Sequence, residues 1–506
     1  MPATNPSRFR SMLPEIGIAL ILSVLLVAMW ELPVSHDVVW QLWIARQMIH
    51  GTQLYAEINE VNPPLWFWAA LPVQGLAEAL HLPARSILIA TTLGLISLAL
   101  ALLSRLCAEE GPWRRAGVLF AALLAMVLIP IHEFAQREHL ALVGALPYAM
   151  LAARRAEGKA IPLWVAVLTG LLAAYGFALK HYFLLIPIAL EAWLALFHRA
   201  HWRLLRPETL VLALCGLAYG AAIFAFAPAF LDVQLPMVAA AYDGYKRPFI
   251  TVLLRTWTIL WALGLIGATN LPRPLHPRVM AGLLTSLCFI FSYFIQMKGW
   301  AYHAISASGA LFFTLGIAVL LQPLSWRWMV RHPSLPAMLL LLGALSANTG
   351  PYHNSTEAET RALLARARPG DPVAILTVRS MRAWPLVEDA RLVWPLRLYS
   401  YWMLPAMANT PEAEKTPQLK ALEEEIIRQT REDLLCLPPR FIVADDSSKT
   451  QYMHSRFDII GFLKRDAAFR AFIGHYRPVR TSGPLTLWER VGDIPPVRTP
   501  KCRTIS

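Results

Sequence analysis

Up to about residue 348, long apolar runs alternate with short polar segments that carry arginine. A helix that crosses a bilayer needs about 20 mostly apolar residues, with a range of about 17–25. Eleven runs fit that pattern, at about 12–32, 85–106, 116–132, 139–153, 161–179, 182–197, 208–227, 249–269, 279–297, 303–322 and 335–347. The runs at 139–153 and 335–347 are the shortest. No signal-peptide cleavage pattern follows the first run, so it is kept as a span.

The basic residues set the orientation. Arg8 and Arg10; Arg105, Arg114 and Arg115; Arg154, Arg155 and Lys159; Arg199, Arg203 and Arg206; Arg273 and Arg278; and Arg327 and Arg331 occupy loops that alternate with loops poor in basic residues. Basic loops stay cytoplasmic. The N-terminus is then inside, and an odd number of spans puts everything after about residue 348 outside. Residues 63–82 are apolar enough to suggest another span. A span there would send the later arginine clusters outside, and Pro72 and Glu78 interrupt the run. The segment is expected to be a helix at the outer membrane surface, or dipping into it.

After residue 348 the pattern changes. A charged helical stretch, Gln418–Leu435, lies among short β-like runs at Val373–Val378, Phe441–Ala444 and Leu485–Glu489. Such alternation predicts a small α/β domain. The expected fold class is a polytopic α-helical membrane protein of about 11 transmembrane helices, residues 1–347, with an extracytoplasmic α/β domain at 348–506. The first outer loop, 33–84, is expected to carry the chemistry, and the C-terminal domain to recognise the acceptor or a partner. No glycine-rich phosphate loop, internal repeat or long low-complexity linker is present.

Composition agrees with this pattern. The chain is 56% hydrophobic and 16% charged, against about 45–50% and about 25% for soluble chains. A cytosolic enzyme or a disordered tail is excluded. A net charge of +13 first suggests a nucleic-acid binder, but the arginines sit in clusters between apolar runs, so no nucleic-acid partner is expected. Five cysteines cannot form a disulfide framework. Cys436 and Cys502 are both expected outside, where a disulfide can form.

The outward loops hold the unusual residues. His36 and Asp37 directly follow the first span. An amphipathic stretch comes next, with Trp40, Trp43, Ile44, Met48 and Ile49 on one side and Gln41, Arg46 and Gln47 on the other. Glu57, Glu60, Asn62, Pro63 and Pro64 close the loop. Further groups are Arg137, Glu138 and His139; Lys180 and His181; Lys246 and Arg247; and Lys298 with His303. All five groups are expected at one membrane face. Ionisable groups near hydrocarbon are costly and face a cavity or a partner. Carboxylates and cations that converge there suit an anionic, phosphate-bearing substrate and a general base. Each also has an ordinary reading when taken singly, with Asp37 as a helix cap and Lys180 and Lys298 as snorkelling lysines.

These residues resemble the GT-C superfamily of membrane glycosyltransferases, in the branch of protein O-mannosyltransferases and aminoarabinose transferases. The first loop has the form D-x8-R-x4-G-x2-L-Y, as Asp37, Arg46, Gly51, Leu54 and Tyr55, and ends in Asn62-Pro63-Pro64-Leu65. Glu138 follows the third span, and Gly176–Lys180 matches a G-x3-K stretch. Val38 stands where the family often has a second acid, and Glu138 where it usually has Asp.

The resemblance implies an inverting transfer of a sugar from a polyprenyl-phosphate donor to an extracytoplasmic glycan, lipid or protein acceptor. It implies Asp37 and Glu138 as catalytic residues, with Asp37 the base. His36, Arg46, Glu60, Asn62, Arg137, His139, Lys180, His181, Arg247, Lys298 and His303 are expected to bind substrate. No cofactor is required. A divalent metal stays open, because His36, Glu60, Glu138 and His303 are suitable ligands without diagnostic spacing. A secondary transporter and a non-catalytic envelope-polysaccharide assembly protein are the alternatives. The expected place is the inner cell membrane.

The arginine pattern makes one direct prediction. A reporter active only outside the cytoplasm works when fused after Thr349 and fails when fused after Arg155 or Arg278. Activity in the opposite pattern would overturn the orientation.

Overall fold

The computed structural model describes residues 6–322, 324–446, 452–494 and 502. The chain forms two compact units. The first comprises Met1–Ser35, Leu80–Ala221 and Arg247–Tyr352, and the second His36–Ala79, Ala222–Lys246 and His353–Ser506.

The apolar runs are helical, with main helices at Pro6–Ala28, Ala84–Leu106, Pro112–Val127, Arg137–Ala156, Leu163–Ala178, Leu185–Phe197, Pro207–Phe226, Thr256–Thr269, Pro277–Gln296, Ala301–Leu321 and Ser334–Thr349. Among the described residues, four are long and apolar enough to cross a membrane by length and composition: Ala84–Leu106, Pro207–Phe226, Pro277–Gln296 and Ala301–Leu321. The others are shorter or carry charges at their ends. One expected run is not continuous. Residues 249–269 break into Phe249–Leu253 and Thr256–Thr269, with Arg255 in an extended conformation between them.

Helix Arg137–Ala156 is the axis of the first unit. Nearly every one of its residues is buried, and it packs against Ala84–Leu106, Leu163–Ala178, Pro277–Gln296 and Ala301–Leu321. Small residues allow the closest of these approaches. A Cβ at Gly144 would lie 2.6 Å from the Leu172 carbonyl oxygen, and one at Gly176 would lie 3.0 Å from Ala141 Cα. The helix has 20 residues, or about 30 Å at about 1.5 Å per residue. Glu138 near its start and Arg154 and Arg155 near its end are therefore about 25 Å apart along the axis.

Charges at the far end are paired. Arg155 grips Glu208 with two hydrogen bonds of 2.9 and 3.0 Å. Arg154 meets Glu109 at 3.1 Å, Arg278 meets Glu110 at 2.9 Å and Glu157 at 3.3 Å, and Arg115 meets Glu15 at 3.0 Å. Arg206 contacts both Glu191 and Glu208. Arg115, Arg154, Arg206 and Arg278 are buried, so these residues are internal ion pairs as well as loop charges.

The second unit joins helix His36–Ile49 and helix Leu65–Leu80 to the C-terminal segment. Helix His36–Ile49 is buried on its polar side too. Gln41 and Gln47 are buried along with Trp40 and Trp43, and Gln41 donates to the Trp66 carbonyl at 2.5 Å. Trp40 and Trp43 stack at 4.6 Å, and Trp384 meets Trp40 edge-on at 5.2 Å. Aromatic pairs of this kind add about 0.5–1.5 kcal/mol beyond burial.

A four-stranded sheet, ordered β1-β2-β4-β3, completes the unit. Its strands are β1 (Val373–Leu376), β2 (Phe441–Asp445), β3 (Tyr476–Ser482) and β4 (Leu485–Arg490). β1 runs parallel to β2, and β4 is antiparallel to both neighbours. Three strands match the expected runs. The fourth, β3, is exposed along most of its length and contains Pro478, so it lacked an apolar signal. The charged stretch forms helix Pro417–Cys436, capped by Thr416, whose side chain accepts from the Leu419 amide. Asp445 is buried at the end of β2 and accepts from Thr377 at 2.6 Å.

Cys436 and Cys502 are joined by a disulfide. Both cysteines should resist maleimide in the denatured, unreduced protein and label after dithiothreitol. Labelling of both without reductant would contradict the bond.

Candidate functional site

The first unit gathers a polar centre from three separate stretches. Helix Arg137–Ala156 begins with Arg137, Glu138 and His139 because Gln136 caps it and accepts from the Arg137 amide. Lys180 follows helix Leu163–Ala178 in an extended conformation. The close approach at Gly176 is one turn earlier, and it brings the lysine to Glu138. The turn Met297-Lys298-Gly299 closes the centre, with left-handed φ of 50° at Met297 and 68° at Gly299. Gly299 suits that conformation because it has no Cβ.

The Lys180 ammonium donates to Glu138 Oε1 at 2.6 Å. It also faces Gln296 Oε1 at 3.4 Å and His303 Nε2 at 3.3 Å. Side-chain exposure is 9% for Lys180 and 2% for Glu138. An ammonium only donates, so His303 Nε2 accepts and Nδ1 carries the ring proton. Glu138 Oε2 and His303 Nδ1 are buried without a hydrogen-bond partner among the described residues. Those two atoms are an acceptor and a donor. Ser306 fixes the turn by donating to the Glu138 carbonyl at 2.6 Å.

Other expected site residues surround this centre or stand apart from it. Arg137 and Lys298 are buried, and Lys298 lies over the Trp300 ring at 4.8 Å. The Arg247 amide donates to the Met297 carbonyl at 2.7 Å, which ties that arginine to the same turn. His181 is exposed, and its ring lies tilted against Tyr182 at 3.9 Å. His139 is engaged by backbone at both ring nitrogens, accepting from the Ala135 amide at 2.9 Å and meeting the Met126 carbonyl at 2.7 Å.

The second unit holds Asp37 in the first turn of helix His36–Ile49. Its Oδ1 accepts from the Tyr399 hydroxyl at 2.9 Å and lies 3.6 Å from His36 Nε2. Burial lowers the His36 pKa below the usual histidine value, and Asp37 opposes that shift. Glu60 and Asn62 build the adjoining loop. Glu60 accepts from Trp40 at 2.7 Å through Oε2, and from the Asn62 amide and side chain at 2.9 and 2.6 Å through Oε1. Arg46 makes a two-point ion pair with Glu388 at 2.7 and 2.9 Å. Arg46, Glu60 and Asn62 thus hold this unit together.

Sequence reasoning missed Gln296 and Tyr399. Gln296 left one local signal, a buried amide at the end of an apolar helix. Tyr399 left none, being 362 positions from its partner. Among the described residues, no group of three or more His, Cys, Asp or Glu is arranged to hold a metal ion.

Removing one partner of a buried ion pair costs about 3–5 kcal/mol. Glu138→Ala should lower the melting temperature in detergent markedly, and Glu138→Gln should lower it less. The double variant Glu138→Ala/Lys180→Met should recover much of the loss. An unchanged melting temperature in Glu138→Ala would contradict the pairing.

No protein-family model matches the sequence, and no curated protein matches it. The fold does match solved structures. ArnT from Cupriavidus metallidurans bound to undecaprenyl phosphate aligns with a TM-score of 0.51 at 11% identity, over 93% of this chain and 98% of that one. ArnT in the apo state aligns with a TM-score of 0.50 at 11% identity, over 94% and 98%. A weaker likeness is to the archaeal oligosaccharyltransferase AglB from Archaeoglobus fulgidus, with a TM-score of 0.44 at 12% identity, over 93% and 72%. The likeness to ArnT runs through both compact units, and the chain shares its fold.

Proposed function

We propose that the chain is an inverting glycosyltransferase of the inner cell membrane. It moves a sugar from a polyprenyl-phosphate donor to an acceptor hydroxyl of an envelope glycan, glycolipid or protein outside the cytoplasm. One observation carries this reading: a buried, acid-paired lysine, Lys180, held at the ends of apolar helices. The fold is shared with ArnT, which binds undecaprenyl phosphate.

In this reading the eleven helices cross the membrane, with the arginine–glutamate ends cytoplasmic. The Cys436–Cys502 disulfide supports an oxidising compartment for the C-terminal segment. The residues at 1–347 make the transferase domain, and 348–506 make the extracytoplasmic domain.

The chemistry is a single displacement. The acceptor hydroxyl oxygen attacks the anomeric carbon as its bond to the phosphate oxygen breaks. The bond electrons leave with the polyprenyl phosphate, and the hydroxyl proton passes to the Asp37 carboxylate. One displacement inverts the anomeric centre. Lys180, Lys298, Arg247 and Arg137 stabilise the phosphate charge, which is stronger on leaving than in the bound donor. Glu138 holds Lys180 ready and offers Oε2 to the acceptor.

A general base contributes about 10²–10⁴-fold. Asp37→Asn should fold normally, bind donor and lose transfer by roughly that factor, while Glu57→Gln is much milder. Lys180→Ala or Lys298→Ala should raise the KM for the lipid donor or slow its departure. Near-wild-type transfer by Asp37→Asn would defeat the base assignment. Unchanged donor kinetics in both lysine variants would leave them as interfacial anchors.

A further inference from the structure

Tyr399 meets Asp37 under unusually tight control. Its hydroxyl donates to Asp37 Oδ1 at 2.9 Å. The ring stacks on Trp40 at 4.9 Å and lies parallel to the His36 ring at 6.3 Å. Three contacts fix the backbone that presents it. The Asn59 amide donates to the Arg397 carbonyl at 2.9 Å, the Trp394 indole donates to the Leu398 carbonyl at 3.1 Å, and the Tyr401 amide donates to the Thr377 carbonyl at 2.8 Å. Arg397 is itself clamped to Asp433 through 2.9 and 2.7 Å hydrogen bonds. One stretch of chain is therefore tied to residues 36–79, to the residue that follows β1 and to helix Pro417–Cys436. A phenol at the surface needs no such anchoring.

We infer that Tyr399 is the positioning residue for Asp37: its hydroxyl holds the carboxylate in the orientation and ionised form that accept the proton of the incoming hydroxyl. This inference rests on the reading of Asp37 as the base. It changes the role of the C-terminal segment. That segment was expected only to recognise an acceptor or partner, and here it supplies part of the base's setting.

A hydrogen bond to a carboxylate favours its charged form, and such bonds are stronger than neutral ones. Donation from Tyr399 also stops the carboxylate rotating about its terminal bond. Among the described residues, His36 on the same helix also faces Asp37, at 3.6 Å. The nearby charges Glu60 and Arg46 are bound to Trp40 and Asn62 and to Glu388 respectively. Loss of the Tyr399 hydroxyl should make Asp37 easier to protonate, while loss of His36 acts through a separate group.

The test compares full-length wild type, Tyr399→Phe, His36→Gln, Asp37→Asn and Asp37→Asn/Tyr399→Phe. Phe keeps the ring against Trp40 and His36, so the variant folds. In one arm, the purified proteins react with a water-soluble carbodiimide and glycine ethyl ester across pH. Peptide mass spectrometry then follows labelling at Asp37, because the carbodiimide activates the protonated carboxyl. Labelling in Tyr399→Phe should persist to higher pH than in wild type, by about half a unit to one unit. In the other arm, each variant complements a deletion strain grown at acidic and alkaline pH, and the sugar product in the envelope is measured. Tyr399→Phe should lower product roughly 10-fold at acidic pH and less at alkaline pH, and the double variant should make no less than Asp37→Asn.

An unchanged labelling midpoint in Tyr399→Phe would overturn the inference. So would an equal loss of product at every pH, which is what a purely structural role gives. A midpoint that moves in His36→Gln and not in Tyr399→Phe would assign the effect to His36. Full product from Asp37→Asn would instead defeat the base assignment, whatever the labelling arm reads.

Discussion

An ammonium group among apolar helices must be paired, and Glu138 pairs Lys180 at 2.6 Å. Leaving either charge alone in that setting would cost several kcal/mol. Much of the first unit is arranged around this constraint. Gly144 and Gly176 let two helices approach until the lysine can reach the acid. The left-handed turn at Met297 and Gly299 brings Gln296 and His303 to the same ammonium. The pair leaves an acceptor and a donor, Glu138 Oε2 and His303 Nδ1, unused among the described residues.

The second unit solves a different problem. Residues 36–79 are too short to bury their own tryptophans, so they share a core with the C-terminal segment. Trp40 is central to that core: it stacks on Trp43 and Tyr399, meets Trp384 edge-on and donates its indole N–H to Glu60. Asp37 is in the turn of helix just before it. The setting of this carboxylate is therefore made by residues more than 300 positions away. Several polar residues of the first loop serve the same packing. Arg46 is bound to Glu388, and Glu60 accepts from Trp40 and from the Asn62 side chain.

Apolar periodicity made the helices legible, because a run of apolar residues between charged ends has few other solutions. Strands β1, β2 and β4 were legible for a similar reason, being short and apolar. Strand β3 was hidden because an exposed edge strand needs no apolar face. The break at Arg255 was hidden because apolarity does not distinguish one helix from two. At the site, Glu138 and Lys180 were visible as charges out of place in apolar surroundings. Their pairing was not, since no local pattern links residues 42 positions apart. The commitment of His139 to Ala135 and Met126 was invisible for the same reason, and so was the burial of Asp445.

The central claim is that this fold transfers a sugar from a lipid phosphate. Mass spectrometry of envelope glycans, lipids and glycoproteins, with the polyprenyl-phosphate pool, tests it most directly in a deletion strain against the complemented strain. The account predicts that one sugar disappears from one envelope product and that its lipid-linked donor accumulates, both reversed on complementation. An unchanged set of envelope sugars with an unchanged lipid-linked pool would contradict it.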